Sequence, residues 1–358
     1  MGRIRRSPLL LALVSAVLAS GIAAGLAAQA SSPTLPSITP ERLIASSLRA
    51  LIADRPVAGQ LLAHVDLGLP SLPDEGPRAR GGLASLLDAV NGDHRVRLWS
   101  SRDGYRVAEL LPGAEISLAV RRAGRSADAW AWDSRSFSAT HLGPVTAPAR
   151  AWSPLGTLDP LQVARQGLVA ISPTTRISLG PNARVAGRAV YVLRIEPRTA
   201  QTLVGRIEVG IDAETRLPLR VAMFARGAGK PALSLGFTSV SFGSVDPAVY
   251  RFSPPPGAAV HEIRVPGDGP RPEDGWGATG ADETLGEYVR TFGQGWATVL
   301  AYRIPQLPTD AAGVDLRSLL PFSGPLFSAG LAERGDHAWL LVGAVPRTRL
   351  AAVEPQLP

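Results

Sequence analysis

At 358 residues, with 45% hydrophobic and 19% charged residues, the chain carries enough apolar material for a sizeable core, which excludes wholesale disorder. Its formal charge of +7 falls to +4 once Arg3, Arg5 and Arg6 are set aside, and so thin a scatter of basic residues excludes a nucleic-acid partner. The absence of cysteine removes disulfides, thiolate catalysis, cysteine metal sites and the lipidated cysteine of a lipoprotein signal.

Residues 1–30 read as an export leader: Arg3 to Arg6, an almost wholly apolar run from Leu9 to Leu26, then Ala28-Gln29-Ala30 as a small-x-small cleavage site. The apolar stretch 8–28 is close to the roughly 20 residues that span a bilayer, so the leader is either cleaved or retained as a signal anchor. A Pro/Ser tether follows over 31–39. Residues 40–54 then form a helix, with Thr39 as its cap, Pro40 in the first turn and Leu43, Ile44, Leu48, Leu51 and Ile52 on one stripe. Alternation gives a strand at 57–67, and a loop at 70–82 leads to a short helical turn at 83–90.

Strands at 94–100, 105–111, 115–121 and 127–133 are separated by tight turn signals, as in an antiparallel meander. Thr157 caps a second helix at 158–171 that Pro173 closes. The meander then resumes at Arg176 and runs on through 188–196, 204–211, 217–224 and 233–242. Both faces of these strands are partly apolar, so the sheet needs a second cover, which is a helix, a partner or a lipid. About ten strands between Val57 and Phe252 are expected, with both helices on the concave side. Residues 257–282 are dense in Gly, Pro and charge and read as a linker to a smaller unit at 283–353, with strands at 296–302 and 337–342.

Enzyme signatures fail on residues that they require. Gly229-Lys230 resembles the end of a phosphate-binding loop, but Pro231 stands where Ser or Thr should hold magnesium and Phe224 where the first Gly belongs, so a hairpin turn is the better reading. The pairs Gly267/Gly269 and Gly293/Gly295 lack the third Gly of a dinucleotide fingerprint, and no nucleophile elbow occurs. His64, His94, His141, His261 and His337 are dispersed, with no metal-ligand spacing. Asp133, Ser138 and His141 hold the letters of a triad, yet strand geometry sends neighbours to opposite faces, so they read as surface polar residues. Trp130 and Trp132 share a face, lining an apolar cavity or filling a core. No catalytic residue, metal or cofactor is expected.

Several phrases carry a resemblance: the leader, the Pro40 helix, the Trp130-Ala-Trp-Asp133 hairpin, Val185-Ala-Gly-Arg-Ala-Val-Tyr-Val-Leu-Arg-Ile-Glu-Pro197 and Ile211-Asp-Ala-Glu-Thr-Arg-Leu-Pro-Leu-Arg220. Together they resemble the LolA-like family of exported lipid and lipoprotein carriers, with Arg216 where that family commonly has Gly. Trp296-Ala-Thr-Val, Leu326-Phe-Ser-Ala-Gly330 and Val342-Gly-Ala-Val-Pro346 look like the small domain of the RseB/MucB regulators of envelope stress. The resemblance implies an α+β chain: a half-open antiparallel β-barrel with a helical lid over 40–256, followed by a smaller α+β domain.

It also implies a non-enzymatic, membrane-proximal protein of the periplasm or cell-wall space that holds a lipid or acylated lipoprotein. The alternative is a regulator that binds the exported domain of an anti-sigma factor, with lipid as its input. The lipid-cavity candidates are Leu61, Val65, Trp130, Trp132, Leu193, Ile195, Ile207, Val209, Leu219 and Val221, apolar residues at alternating strand positions. The sequence leaves open which sheet face points inward.

Overall fold

The structure, a computed structural model, describes residues 32–68, 91–124, 126–146, 168, 171–263, 288–304, 320–335 and 337–358. The expected leader, the helical turn at 83–90 and nearly all of the helix at 158–171 lie outside the described residues. Among the described residues the chain is mostly β, in a large curved sheet and a smaller one.

Helix α1 spans Pro40–Ile52, and Thr39, extended at φ −88°, accepts a hydrogen bond from the Arg42 amide. Eleven strands follow: β1 Val57–Val65, β2 Gly92–Ser101, β3 Gly104–Leu111, β4 Ala114–Ala123, β5 Ser126–Asp133, β6 Ser138–Thr146, β7 Thr175–Val185, β8 Arg188–Pro197, β9 Val204–Asp212, β10 Pro218–Ala225 and β11 Leu233–Ser241. With β12, Ala259–Ile263, they make a single twelve-stranded sheet in the order β12-β6-β5-β4-β3-β2-β1-β11-β10-β9-β8-β7. All pairings are antiparallel except β12 on β6. The sheet is open, with β12 and β7 at its edges.

Strand β7 is four places from β11, about 19 Å in a flat sheet. Cα atoms of the two strands nevertheless approach within 8 Å. The sheet must therefore curl at this end.

Local chemistry sets the hairpins. Ala186 and Gly187 both take positive φ, 50° and 78°, the backbone of a type I′ turn between β7 and β8. Gly229-Lys230-Pro231 lies in the β10 connection to β11, the hairpin reading made from sequence. The turn between β9 and β10 is organised by Asp212, whose side chain is almost fully buried. Its Oδ2 accepts from the Thr215 amide at 2.7 Å and the Thr215 hydroxyl at 2.8 Å. Arg188 donates to both carboxylate oxygens, at 2.6 and 3.0 Å. Arg216, where the resemblance expects Gly, adopts φ 64°, and its guanidinium lies 5.0 Å from the Tyr191 ring centre. That cation–π contact offsets part of the cost of a left-handed non-glycine residue.

A five-stranded sheet forms the second unit: β13 Val289–Phe292, β14 Val299–Ile304, β15 Phe322–Ser323, β16 Ser328–Arg334 and β17 His337–Gly343, in the order β13-β14-β17-β16-β15. Helix α2, Arg347–Val353, closes its core through Leu350 and Val353 against Trp339 and Leu341. The unit is docked, with Ala344 O accepting from the Thr202 hydroxyl at 2.6 Å and the Leu203 amide at 2.8 Å. Residues 33–36 of the expected tether are held as well, since Asn182 donates to Pro33 O and the Tyr191 hydroxyl to Pro36 O.

Strands β6, β12, β13, β15 and β16 escaped the sequence reading. Strand β6 is interrupted by Gly143 and Pro144, residues that argue against a strand, while β12 falls in the stretch expected as linker and pairs across more than a hundred residues.

Burial alone would raise the Asp212 pKa, but the bonds from Arg188 and Thr215 outweigh it and hold the carboxyl below its usual range. The pair's stabilisation is therefore full above the unfolded Asp value of about 3.9 and is lost as pH falls through the lower folded value. Asp212→Ala is expected to lower the unfolding free energy by about 3 kcal/mol, read from urea titrations at pH 7, because it leaves the Thr215 amide and hydroxyl without their acceptor and Arg188 with Glu214 alone.

Candidate functional site: an apolar sheet face half covered by helix α1

Residues directly opposite one another in an antiparallel pair point to the same side, so the registers assign each side chain to a face. One row runs Ile177, Ile195, Ile207, Met223, Leu233 and Val65. The next runs Leu179, Leu193, Val209, Val221, Leu235 and Ala63 on the same face. Further along, Leu98, Val107, Leu118, Ala131 and Thr140 continue this face across the other half of the sheet.

Helix α1 crosses the first half. Leu43, fully buried, packs with Tyr191, Leu193 and Ile211, while Ala50 packs with Leu61, Ala63 and Leu98. Beyond its C-terminus Asp54 reaches Arg122 of β4 at 3.4 Å, and that guanidinium lies over the Tyr105 ring. The second unit seals one end of the face: Leu326, Trp296 and Ala344 pack among Leu67, Ile207, Met223 and Leu233. The remaining part, across β2 to β5, presents Val96, Val107 and Ile116 half-buried and Leu118 38% exposed. One polar pair interrupts it. His94 Nδ1 and Glu109 Oε1 are 2.7 Å apart, and His94 Nε2 is buried without a partner among the described residues.

Eight of the ten residues proposed from sequence thus lie on the α1 half of the sheet. Leu61, Val65, Leu193, Ile195, Ile207, Val209 and Val221 share the face that α1 crosses, and Leu219, fully buried, sits in a bulge of β10 against the same cluster as Leu61. Trp130 and Trp132 stand on the opposite face, because no bulge interrupts the registers from β1 to β5. The half left open by α1 is instead built from Val107, Ile116, Leu118 and Ala131. Alternation in β3 and β4 carries that signal, but nothing in the sequence says which half the helix covers.

On the opposite face the two indoles are covered by the segment that leaves β11. Phe252 packs on both at 5.7 Å, and Phe137 meets Trp132 edge-on. His141 stacks on Trp130 at 4.1 Å, with Nε2 2.7 Å from Asp128 Oδ1 and Nδ1 2.9 Å from Glu262 Oε2 of β12. Asp133 and Ser138 are cross-strand partners on the other face, with Asp133 bound to Arg135, so the letters of a triad are not assembled. Among the described residues no group of three or more His, Asp or Glu side chains gathers to hold a metal ion. No described helix is long and apolar enough to cross a membrane.

No protein family and no curated protein matches the chain. Solved structures do. They include the MucA/MucB complex of Pseudomonas aeruginosa, at 13% identity and TM-score 0.44, covering 88% of this chain and 96% of that one. MucB with the periplasmic part of MucA matches at 14% identity and TM-score 0.42, covering 87% and 96%. A LolA superfamily protein from Nitrosomonas europaea matches at 9% identity and TM-score 0.22, covering 60% and 99%. The two groups that the sequence resembles are therefore among its structural neighbours. At such scores the likeness carries no functional conclusion, and the chain's own residues must supply it.

Burial would lower the His141 pKa, but Asp128 and Glu262 outweigh it and the net shift is upward. The other charged group near this cluster is Arg121, 3.9 Å from the second oxygen of Asp128. The ion pairs therefore stabilise β12 fully below the unfolded His value of about 6.5 and fade as pH rises through the higher folded value. Hydrogen exchange of residues 259–263, corrected for intrinsic rates, should show protection falling over that rise in wild type. In His141→Gln it should stay low and flat with pH.

Proposed function

We propose that this protein is a non-enzymatic binder of acyl chains, exported by its N-terminal leader, which holds a lipid or acylated lipoprotein against the open half of the α1-side face. The carrying observation is the alignment of Val107, Leu118 and Ala131 across three strands, with Leu118 exposed beside half-buried Val96 and Ile116. A contiguous apolar face needs a cover, and each methylene laid on it contributes about 0.8 kcal/mol. His94 and Glu109, at the border of the patch, offer polar contacts to the ligand's head.

A second reading is a regulator in which the same face is the input and a protein such as the exported domain of an anti-sigma factor is the output. It is favoured by the docking of the second unit on the end of this very face, through Leu326, Trp296 and Ala344. Occupancy of the face and the position of that unit would then be linked equilibria.

A fluorescent fatty-acyl probe tests the common part. Leu118→Asp should weaken probe binding by about tenfold or more while the melting transition stays near wild type, because the new carboxylate meets solvent when the face is empty and acyl chain when it is full. Val209→Asp should instead unfold the protein, since Val209 packs in the Leu43 cluster. A folded wild type that binds no acyl probe would leave protein docking alone.

A further inference from the structure

A cleft of about 400 Å³ lies at the junction of the two units, sharing Trp296 with the sealed end of the apolar face. Its walls come from Pro173 and Thr174 ahead of β7, Arg198, Thr199 and Gln201 between β8 and β9, the turn 293–297, and Arg349 of α2. Two guanidiniums, two hydroxyls and two carboxamides line it together with Trp296, and among the described residues no carboxylate does.

Arg349 is the unusual member. Among the described residues its Nε is buried with no hydrogen-bond partner, and no carboxylate pairs with its guanidinium. Arg198 commits only Nε, to Ser172 O at 2.9 Å. Arg188 and Arg194 of the large sheet, by contrast, meet the carboxylates of Asp212 and Glu208. A guanidinium that lines a cleft with no carboxylate to pair it among the described residues leaves its charge for an anion to meet.

We infer that this junction is an oxyanion site that takes a phosphate group, with Arg349 and Arg198 as its ligands from the two units. A phosphate has the charge and the lone pairs to engage two guanidinium forks at once. The walls are already fixed, since Trp296 Nε1 donates to Thr175 Oγ1 at 2.8 Å and Ala344 O accepts twice from the loop before β9. The cleft exceeds what a bare phosphate fills, so the group is either free inorganic phosphate or the head of a larger amphiphile. Because Arg349 belongs to one unit and Arg198 to the other, an occupant ties them together.

Calorimetric titration of the mature chain with sodium phosphate, hexyl phosphate and hexanol at constant ionic strength tests this. Saturable binding of phosphate or hexyl phosphate is expected, weakened about tenfold or more in both Arg349→Gln and Arg198→Gln. Hexyl phosphate binding more tightly than phosphate identifies an amphiphile's head, and equal affinity identifies the free anion. Arg198 is solvent-exposed, so its variant decides the matter if Arg349→Gln does not fold. Absence of saturable binding by both phosphates, unchanged affinity in Arg198→Gln, or hexanol binding as tightly as hexyl phosphate would each overturn the assignment.

Discussion

A sheet with apolar side chains on both faces must have both faces covered, and everything else in this molecule follows from how that requirement is met. Twelve strands in one sheet present far more apolar area than a thirteen-residue helix can hide. Uncovered apolar area is a standing drive toward association. Among the described residues the chain answers with three covers of different kinds. Helix α1 lies over β7–β9 and the neighbourhood of β1, the second unit closes one end of the same face, and the Tyr250–Phe252 segment backs the tryptophans on the other side.

The opposite face of β8–β10 is handled by charge. Arg194 and Arg206 share Glu208, and Arg188 bridges Asp212 and Glu214, so the long arginine stems shield the sheet while their heads stay paired. This explains why a sheet that is greasy in sequence on both sides needs a bulky cover on only one of them in this half. Around β5 and β6 the same problem is solved with aromatic stacking and the His141 ion pairs, which also recruit β12 as a parallel edge.

Much of this architecture was legible in the residues. The alternation of Val190 to Ile195, the turn at Asp212 and the Thr39-Pro40 helix start each encode local geometry that the structure keeps. What the sequence could not carry was register over distance. The bulges at Gln60/Leu61 and beside Leu219 decide which residues meet across strands, and only the uninterrupted registers from β1 to β5 separate Trp130 and Trp132 from Leu61. Strands β6 and β12 were missed for a related reason: their stabilisation is a histidine bridging Asp128 and Glu262, with no local apolar pattern to announce it. For the candidate site, alternation identified a shared apolar face but not the part that α1 leaves open.

We propose that the half of this face left open by α1, rather than the aromatic side, receives an acyl chain. Cross-linking with a photoreactive fatty acid, followed by peptide mapping, asks this of the wild-type chain directly. Labels on the α1-side residues of β3 and β4, such as Val107, Ile116 and Leu118, are the predicted result. Labels confined to Trp130 and Trp132, or none above a sample competed with unlabelled fatty acid, would contradict it.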